Sequence, residues 1–307
     1  MFKFSMAWTD PKCTKDNLRF GNRVVVRWDN GLPDWGGVID IPRRLEHGRT
    51  GITCYSGERL LDWRVTDFGR YYDEQTPGYI AQKRTEYENT EWATGIGVGT
   101  CEEAGTDRTI EDHYHDLFQR MQDMARLSGQ DFYVEPTFSG GVLTFALNWY
   151  EVRGTDRSTT IWLIDGLNAR VGPMDVQGPL QNVIRLIGAG DTWGDDRIRS
   201  AAIDAASVEA YGGYREYSEV QSTVSVQTTL DANAAVLLAE RKDPHTIPTV
   251  EALNLAPALF SAYDVGDIVT LEAYRESTEW YFAMPVRILA REWFSDDHCR
   301  LEVQEVT

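Results

Sequence analysis

TIEDHYHDLFQRMQDMARLSGQDFYVEP (109–136), followed by GVLTFALNWYEV (141–152), is the most informative stretch of the chain. Apolar residues fall at Ile110, Tyr114, Leu117, Phe118, Met121, Met124 and Ala125, one stripe at helical period. The spacing predicts a helix over 109–128, with Thr109 as N-cap, Asp112 three residues on and Gly129 as a left-handed C-terminal cap. QDFYVEP (130–136) and GVLTFALNWYEV read as a hairpin turning around Ser139-Gly140-Gly141. A helix followed at once by an antiparallel pair makes an α/β unit, ending near Arg153-Gly154.

On the N-terminal side, residues 69–108 resist reading. They hold Gly69, Pro77-Gly78 and GIGVGT (95–100) among scattered charges, and are expected to be loop with two short strands at most. Before them the first 66 residues read as short strands: NRVVVRW (22–28), PDWGGVIDI (33–41) and RTGITCYS (49–56). Asp29-Asn30-Gly31 and Glu46-His47-Gly48 supply the turns, and strands at roughly 10-residue spacing suggest a small barrel or sandwich.

On the C-terminal side, STTIWLI (158–164), NVIRLIGAG (182–190) and VQSTVSVQ (220–227) read as strands. Leu230, Ala234, Leu237, Leu238 and Arg241 form a second helical stripe, stopped by Asp243-Pro244. The tail is a β-meander of DIVTLEAY (267–274), WYFAMPVRILAREWF (280–294) and CRLEVQEV (299–306), with a loop around Glu276-Ser277 and a tight turn at Ser295–His298. The expected class is α+β, mainly β, and irregular alternation argues against a doubly wound sheet. The expected division is 1–66 as the first part of a barrel, 67–157 as an inserted α/β domain, 158–228 as returning β structure, and 229–307 as a helix with a closing barrel or meander.

Composition narrows the function. The 307 residues carry 48 Asp and Glu against 30 Lys and Arg, a net charge of −18. That balance argues against a broad nucleic-acid-binding face, which needs clustered cations. Hydrophobic residues at 42% exclude a disordered acidic tail. No apolar run nears the ~20 residues that span a bilayer, and MFKFSMAWTDPK lacks the apolar core of a signal peptide. Cys13, Cys54, Cys101 and Cys299 lie far apart without a CxxC pair, as independent thiols do.

Motifs for chemistry fail one by one. His47, His113, His115, His245 and His298 are scattered. On a helix His113 and His115 would lie about 200° apart, too far around to share an ion. GIGVG (95–99) lacks the G-x-G-x-x-G order, and Glu102-Glu103 after it would repel a pyrophosphate, so it reads as a flexible loop. Glu102-Glu103, Asp195-Asp196 and Asp296-Asp297 are adjacent in sequence, whereas a glycosidase opposes its carboxyls across a cleft. GAGDTWGDD (188–196) lacks the order of a calcium loop. No nucleophile elbow is present. Most of the ten Trp fall inside strands or beside turns, where they fill β cores more readily than they stack on sugars. No catalytic, cofactor-binding or metal-binding residue is assigned.

Three stretches together resemble the central hub proteins of phage tail tips: the baseplate hub of contractile phages and the N-terminal part of siphophage tail-associated proteins. They are ITCYSGERLLDWRV (52–65), IDAASVEAYGGYREY followed by TLDANAAVLLAERKDP (203–244), and YDVGDIVTLE (263–272) leading into VRILAREWF (286–294). The helix before QDFYVEP also fits. Residues 69–108 match nothing in the family, and the segment before the first barrel strand is short for it.

The resemblance implies two tail-tube-like β-barrels with an inserted α/β domain. It implies three copies in a ring that joins the tail tube and distal tail protein to a tip or fibre assembly. Such a ring surrounds the DNA channel, also meets the tape measure protein, and sits in the virion tail tip after assembly in the host cytoplasm. Because the last strand runs almost to Thr307, no hydrolase extension is expected. The excess carboxylates would then line a lumen past which DNA slides without adhering. Arg outnumbers the five Lys heavily, and Arg suits bidentate pairs at subunit interfaces. The competing readings are a glycan- or receptor-binding β-rich module of a phage tail and, behind it, a glycoside hydrolase.

Overall fold

The computed structural model describes residues 1–28, 32–91, 93–177, 180–190, 197–243, 245–275 and 280–306. The Asp29–Gly31 and Glu276-Ser277 turns, Asp195-Asp196, the acidic half of 188–196 and Pro244 lie outside them.

The elements run β1 (Phe2–Ala7), β2 (Arg23–Val26), β3 (Trp35–Glu46), β4 (Arg49–Tyr55) and α1 (Arg59–Asp62). Then come β5 (Phe68–Gln75), α2 (Pro77–Glu91), β6 (Ile96–Cys101), β7 (Arg108–His113) and α3 (Leu117–Ser128). The hairpin β8 (Asp131–Ser139) and β9 (Val142–Tyr150) precedes β10 (Trp162–Ile164), β11 (Ala169–Gln177), β12 (Val183–Ile187) and β13 (Arg199–Ile203). The remainder is α4 (Ala205–Ala210), β14 (Glu216–Val220), α5 (Gln227–Arg241), β15 (His245–Leu253), β16 (Ile268–Arg275), β17 (Trp280–Trp293) and β18 (His298–Glu305).

The long sheet has the order β11-β15-β18-β17-β1-β4-β3-β2, with β16 on β17 and β10 on β16. It joins the two ends of the chain, because β1 lies antiparallel to β4 and meets β17 at Phe2 and Trp293. Trp28 and Trp293 (ring centroids 5.3 Å apart), Phe2 and Trp35 (5.6 Å), and Phe260 and Trp293 (5.2 Å) fill that seam. Most of these rings are therefore core, as β-propensity suggested. The described strands close into no barrel: β2 and β11 stand as edges of an open sheet, where two barrels were expected.

Two smaller sheets, β6-β9-β8 and β5-β7, share an apolar core with α2 and α3, including Leu61, Ile80, Met121, Leu147 and Trp149. The hairpin turns on Gly140 and Gly141, both at positive φ (59° and 83°), the geometry a two-residue type I′ connection requires. A further sheet, β13-β12-β14, packs its Ile184 and Leu186 on Leu230, Ala234 and Leu237 of α5.

Several expectations change. The helix predicted from 109 begins at Leu117; Asp116 is its N-cap, accepting from the Gln119 amide at 2.7 Å, and residues 108–113 form a strand instead. Gly129 is the left-handed cap, with φ 66°. Residues 69–108 are not loop: they supply most of β5, all of α2 and β6, and the start of β7. STTIWLI yields only the three residues of β10, and 220–227 is largely a turn, because Val224 folds inward onto the α5 core. Residues 169–177 and 245–253, unread as strands, pair with one another.

The stretches quoted for the resemblance turn out to be anchors. Asp267 of YDVGD is 5% exposed and accepts from the Thr155 amide (2.7 Å), the Asp264 amide (2.9 Å) and the Arg157 guanidinium (2.9 Å). Asp204 caps α4 through the Ser207 amide (2.9 Å) and pairs with Lys242 (2.9 Å). Glu58 accepts from the Val134 amide at 2.9 Å, pinning α1 to β8.

Candidate interaction surface

The β5–β7 ribbon and the flank of α2 behind it carry an exposed aromatic surface. Phe68 pairs with His113 and Gln75 with Arg108, with two irregularities between them. Gly69 (φ 73°) and Glu74 (φ 45°) take left-handed backbone at those points, and Tyr114 (φ 49°) does so just past the ribbon. Bulges of this kind twist a strand and re-aim its side chains. Here Tyr72 and Ile110 turn onto the core, while Phe68, Tyr71 and Tyr114 stay 62%, 58% and 66% exposed. Phe68 stacks on Tyr114 at 5.6 Å and lies 5.2 Å from the His113 ring. Val65 and Trp63 extend the exposed apolar area.

Beside this patch lies a groove of about 530 Å3, lined by Tyr71, Tyr72, Tyr79 and Tyr87 together with Arg70 and Lys83. The Arg70 guanidinium sits 3.3 Å from the centre of the Tyr87 ring, and the Lys83 ammonium 5.5 Å from that of Tyr79. Tyr87 donates to Asp67 at 2.9 Å. The backbone amide of Phe68 and then the Tyr87 hydroxyl hold the Asp67 carboxyl below its usual range. Burial pushes the Tyr72 phenol up to about 12. The groove therefore presents aromatic faces, neutral phenols and paired charges. Aromatic faces with polar tips and paired charges are the make-up common at the centres of protein interfaces.

Of the residues considered for chemistry, His113 lies at this surface against Phe68, and among the described residues the structure brings no second such residue to it as a catalytic partner. His113 ends a strand and His115 follows Tyr114, so the helical geometry assumed for them does not apply. Among the described residues no group of three or more His, Cys, Asp or Glu is placed to hold a metal ion. GIGVG is not a loop but strand β6, parallel to β9. A Cβ on Gly99 would stand 2.2 Å from Asn148 Oδ1, which accepts from the Thr100 amide at 2.7 Å. Glu102 accepts from the Glu151 amide, and Asp297 from the Ser295 hydroxyl, so both serve turns. All four thiols are free, and among the described residues no helix is long and apolar enough to cross a membrane. The missed elements had one sequence signal, the tyrosines at 71, 72, 79 and 87, which carried no period.

Sequence comparison is silent: no protein-family model and no curated protein matches the chain. Comparison of folds is not. The 43 kDa tail protein of prophage MuSo2 from Shewanella oneidensis superposes with a TM-score of 0.59 at 12% identity, over 99% of this chain and 88% of that one. Prophage tail protein gp18 from Listeria monocytogenes EGD-e gives 0.57 at 14% identity, over 98% and 83%. The tail protein from Neisseria meningitidis MC58 gives 0.55 at 13% identity, over 99% and 87%. The chain has the fold of these phage and prophage tail proteins, over nearly its whole length.

Proposed function

We propose that this chain is a structural hub protein of a phage tail tip or baseplate, acting by assembly and not by catalysis. The observation that carries the reading is the match of 98–99% of this chain to three tail proteins. In this reading three copies form a ring, and the two halves of the long sheet are the counterparts of tail-tube barrels. The ring joins the tail tube and distal tail protein to the tip or fibre assembly, meets the tape measure protein, and surrounds the DNA channel. The protein is then a virion component at the tail tip, assembled in the host cytoplasm.

Two features of the monomer support an assembled state. The long sheet ends in the edge strands β2 and β11, and sheet edges are a liability that subunit contacts relieve. The Phe68–Tyr71–Tyr114 patch has the aromatic character of interface centres. Phage tails carrying a tag on this chain should show label at the tip. Label on the capsid, or virions without the tag, refutes the assignment. A basic channel in the assembled ring would refute the acidic lumen.

The tyrosine groove favours a second reading, a glycan- or receptor-binding module of the tail. That reading predicts sugar binding by the isolated chain, abolished by Tyr71→Ala with Tyr87→Ala. A flat glycan-array response eliminates it.

A further inference from the structure

A second cavity, of about 220 Å3, lies between α3, the start of β7 and the turn joining β14 to α5. Arg84, Arg108, Arg120 and Arg126 line it, against Asp123 and Glu219. Four guanidiniums around one cavity are unexpected in a chain of net charge −18.

Four carboxylates, Asp112, Asp123, Glu219 and Glu240, stand near these four guanidiniums, yet among the described residues none of them pairs with Arg108. Arg84 takes both oxygens of buried Asp112, at 2.8 and 2.7 Å. Arg120 stands 3.8 Å from the same carboxylate, donates to the Glu111 carbonyl at 3.3 Å, and leaves its Nε without a hydrogen-bond partner. Arg126 pairs with Glu240 at 3.5 Å. Arg108, 3% exposed, donates only to neutral oxygens, Oδ1 of Asn233 and the Leu127 carbonyl, and its Nε has no partner. Glu219 is already held by the Tyr217 hydroxyl (2.7 Å) and the Gln221 amide (3.1 Å). Burial pulls the Arg108 guanidinium down to about 10, as happens to a desolvated cation with no counterion.

Leaving a buried cation uncompensated is costly, and a guanidinium fork matches the oxygen spacing of a carboxylate or phosphate. We propose that this cavity binds one small oxyanion, of the phosphate or carboxylate class, held by Arg108 and Arg120. The opposing account makes Arg108 a fastener between β7, α3 and α5 that needs no anion.

The test is thermal unfolding and titration calorimetry of the full chain in potassium phosphate, potassium acetate and potassium chloride at matched ionic strength. Phosphate stabilises proteins generally by exclusion, but that effect does not saturate and is blind to Arg120. The expected result is a saturable rise in Tm with phosphate or acetate over chloride. Arg120→Lys, which keeps the charge and loses the fork, should weaken binding at least tenfold. Arg185→Gln, at the exposed pair with Glu216, should leave it unchanged. Acetate matching phosphate would assign the site to a carboxylate, such as a neighbour's acidic side chain; phosphate alone would assign it to a free tetrahedral ion. No saturable response to either ion, or full binding by Arg120→Lys, overturns the proposal.

Discussion

Arg84 of α2 and Asp112 of β7 form a bidentate ion pair that is almost wholly buried, their side chains 2% and 1% exposed. Removing one partner strands the other in a core that includes Met124, whose sulfur receives the remaining Arg84 N–H at 3.7 Å. Arg84→Met or Asp112→Asn should each cost about 3–5 kcal/mol. The double change Arg84→Met with Asp112→Asn should cost less than the two singles combined, measured by urea unfolding. Additive losses would show that the pair is not acting as a unit.

Tyr114 pays for its position in backbone strain. At φ 49° and 66% exposure it gains little from burial, and Asn tolerates that backbone better. Tyr114→Asn should leave stability unchanged or raise it by about 1 kcal/mol, whereas Tyr114→Val should cost about 1–3 kcal/mol. Thermal unfolding of the two variants checks the contrast. If the ribbon is an interface, both should fail to enter tails.

Gly154 and Gly266 meet back to back where the α/β hairpin hands over to the long sheet. A Cβ on Gly154, at φ 92°, would stand 2.2 Å from the Gly266 carbonyl carbon. Gly154→Ala should destabilise by about 1–3 kcal/mol from the backbone alone, with the steric clash added. Gly140→Ala, at positive φ but in open space, should cost less. Equal losses would mean the close approach is unimportant.

The thiols give a pH dependence. Burial raises Cys54 and Cys299 from 9.0 to about 12. Both therefore favour the neutral form in the native state, and stability is full below about pH 9 and falls as the unfolded thiols ionise between pH 9 and 12. At pH 8 neither should react with iodoacetamide until the protein unfolds, as mass spectrometry of native and denatured samples can show. Rapid native labelling of Cys299 would contradict its burial.

Much of the outline was legible before any coordinates. The hairpin 131–150, the helix 227–241 and the meander from Ile268 onward follow period and turn residues closely. What escaped did so for physical reasons. Helix α2 does have a buried stripe, but Arg84, Thr85 and Glu88 continue it after Ile80 and Ala81. A polar stripe is invisible to hydrophobic periodicity when its partner, Asp112, lies on a distant strand. Residues 109–113 read as helix because Ile110 and Tyr114 fit the period of the true helix that follows. Pairing with β5 decided otherwise. The exposed aromatic patch shared that fate, since it exists only once the ribbon forms.

The seam at Phe2 and Trp293 also sets a timetable for biosynthesis. A ribosome releases residues 2–7 long before 280–293, so β1 can find β4 early while its other edge waits for more than 270 further residues to be made. Through that interval the nascent protein carries an open, aromatic-rich strand edge, the kind of surface that chaperones shield and that aggregates when crowded. Fragments ending before residue 280 should collect in inclusion bodies even where the whole chain remains in solution. Yield in recombinant expression is then governed by translation speed and chaperone supply as much as by final stability.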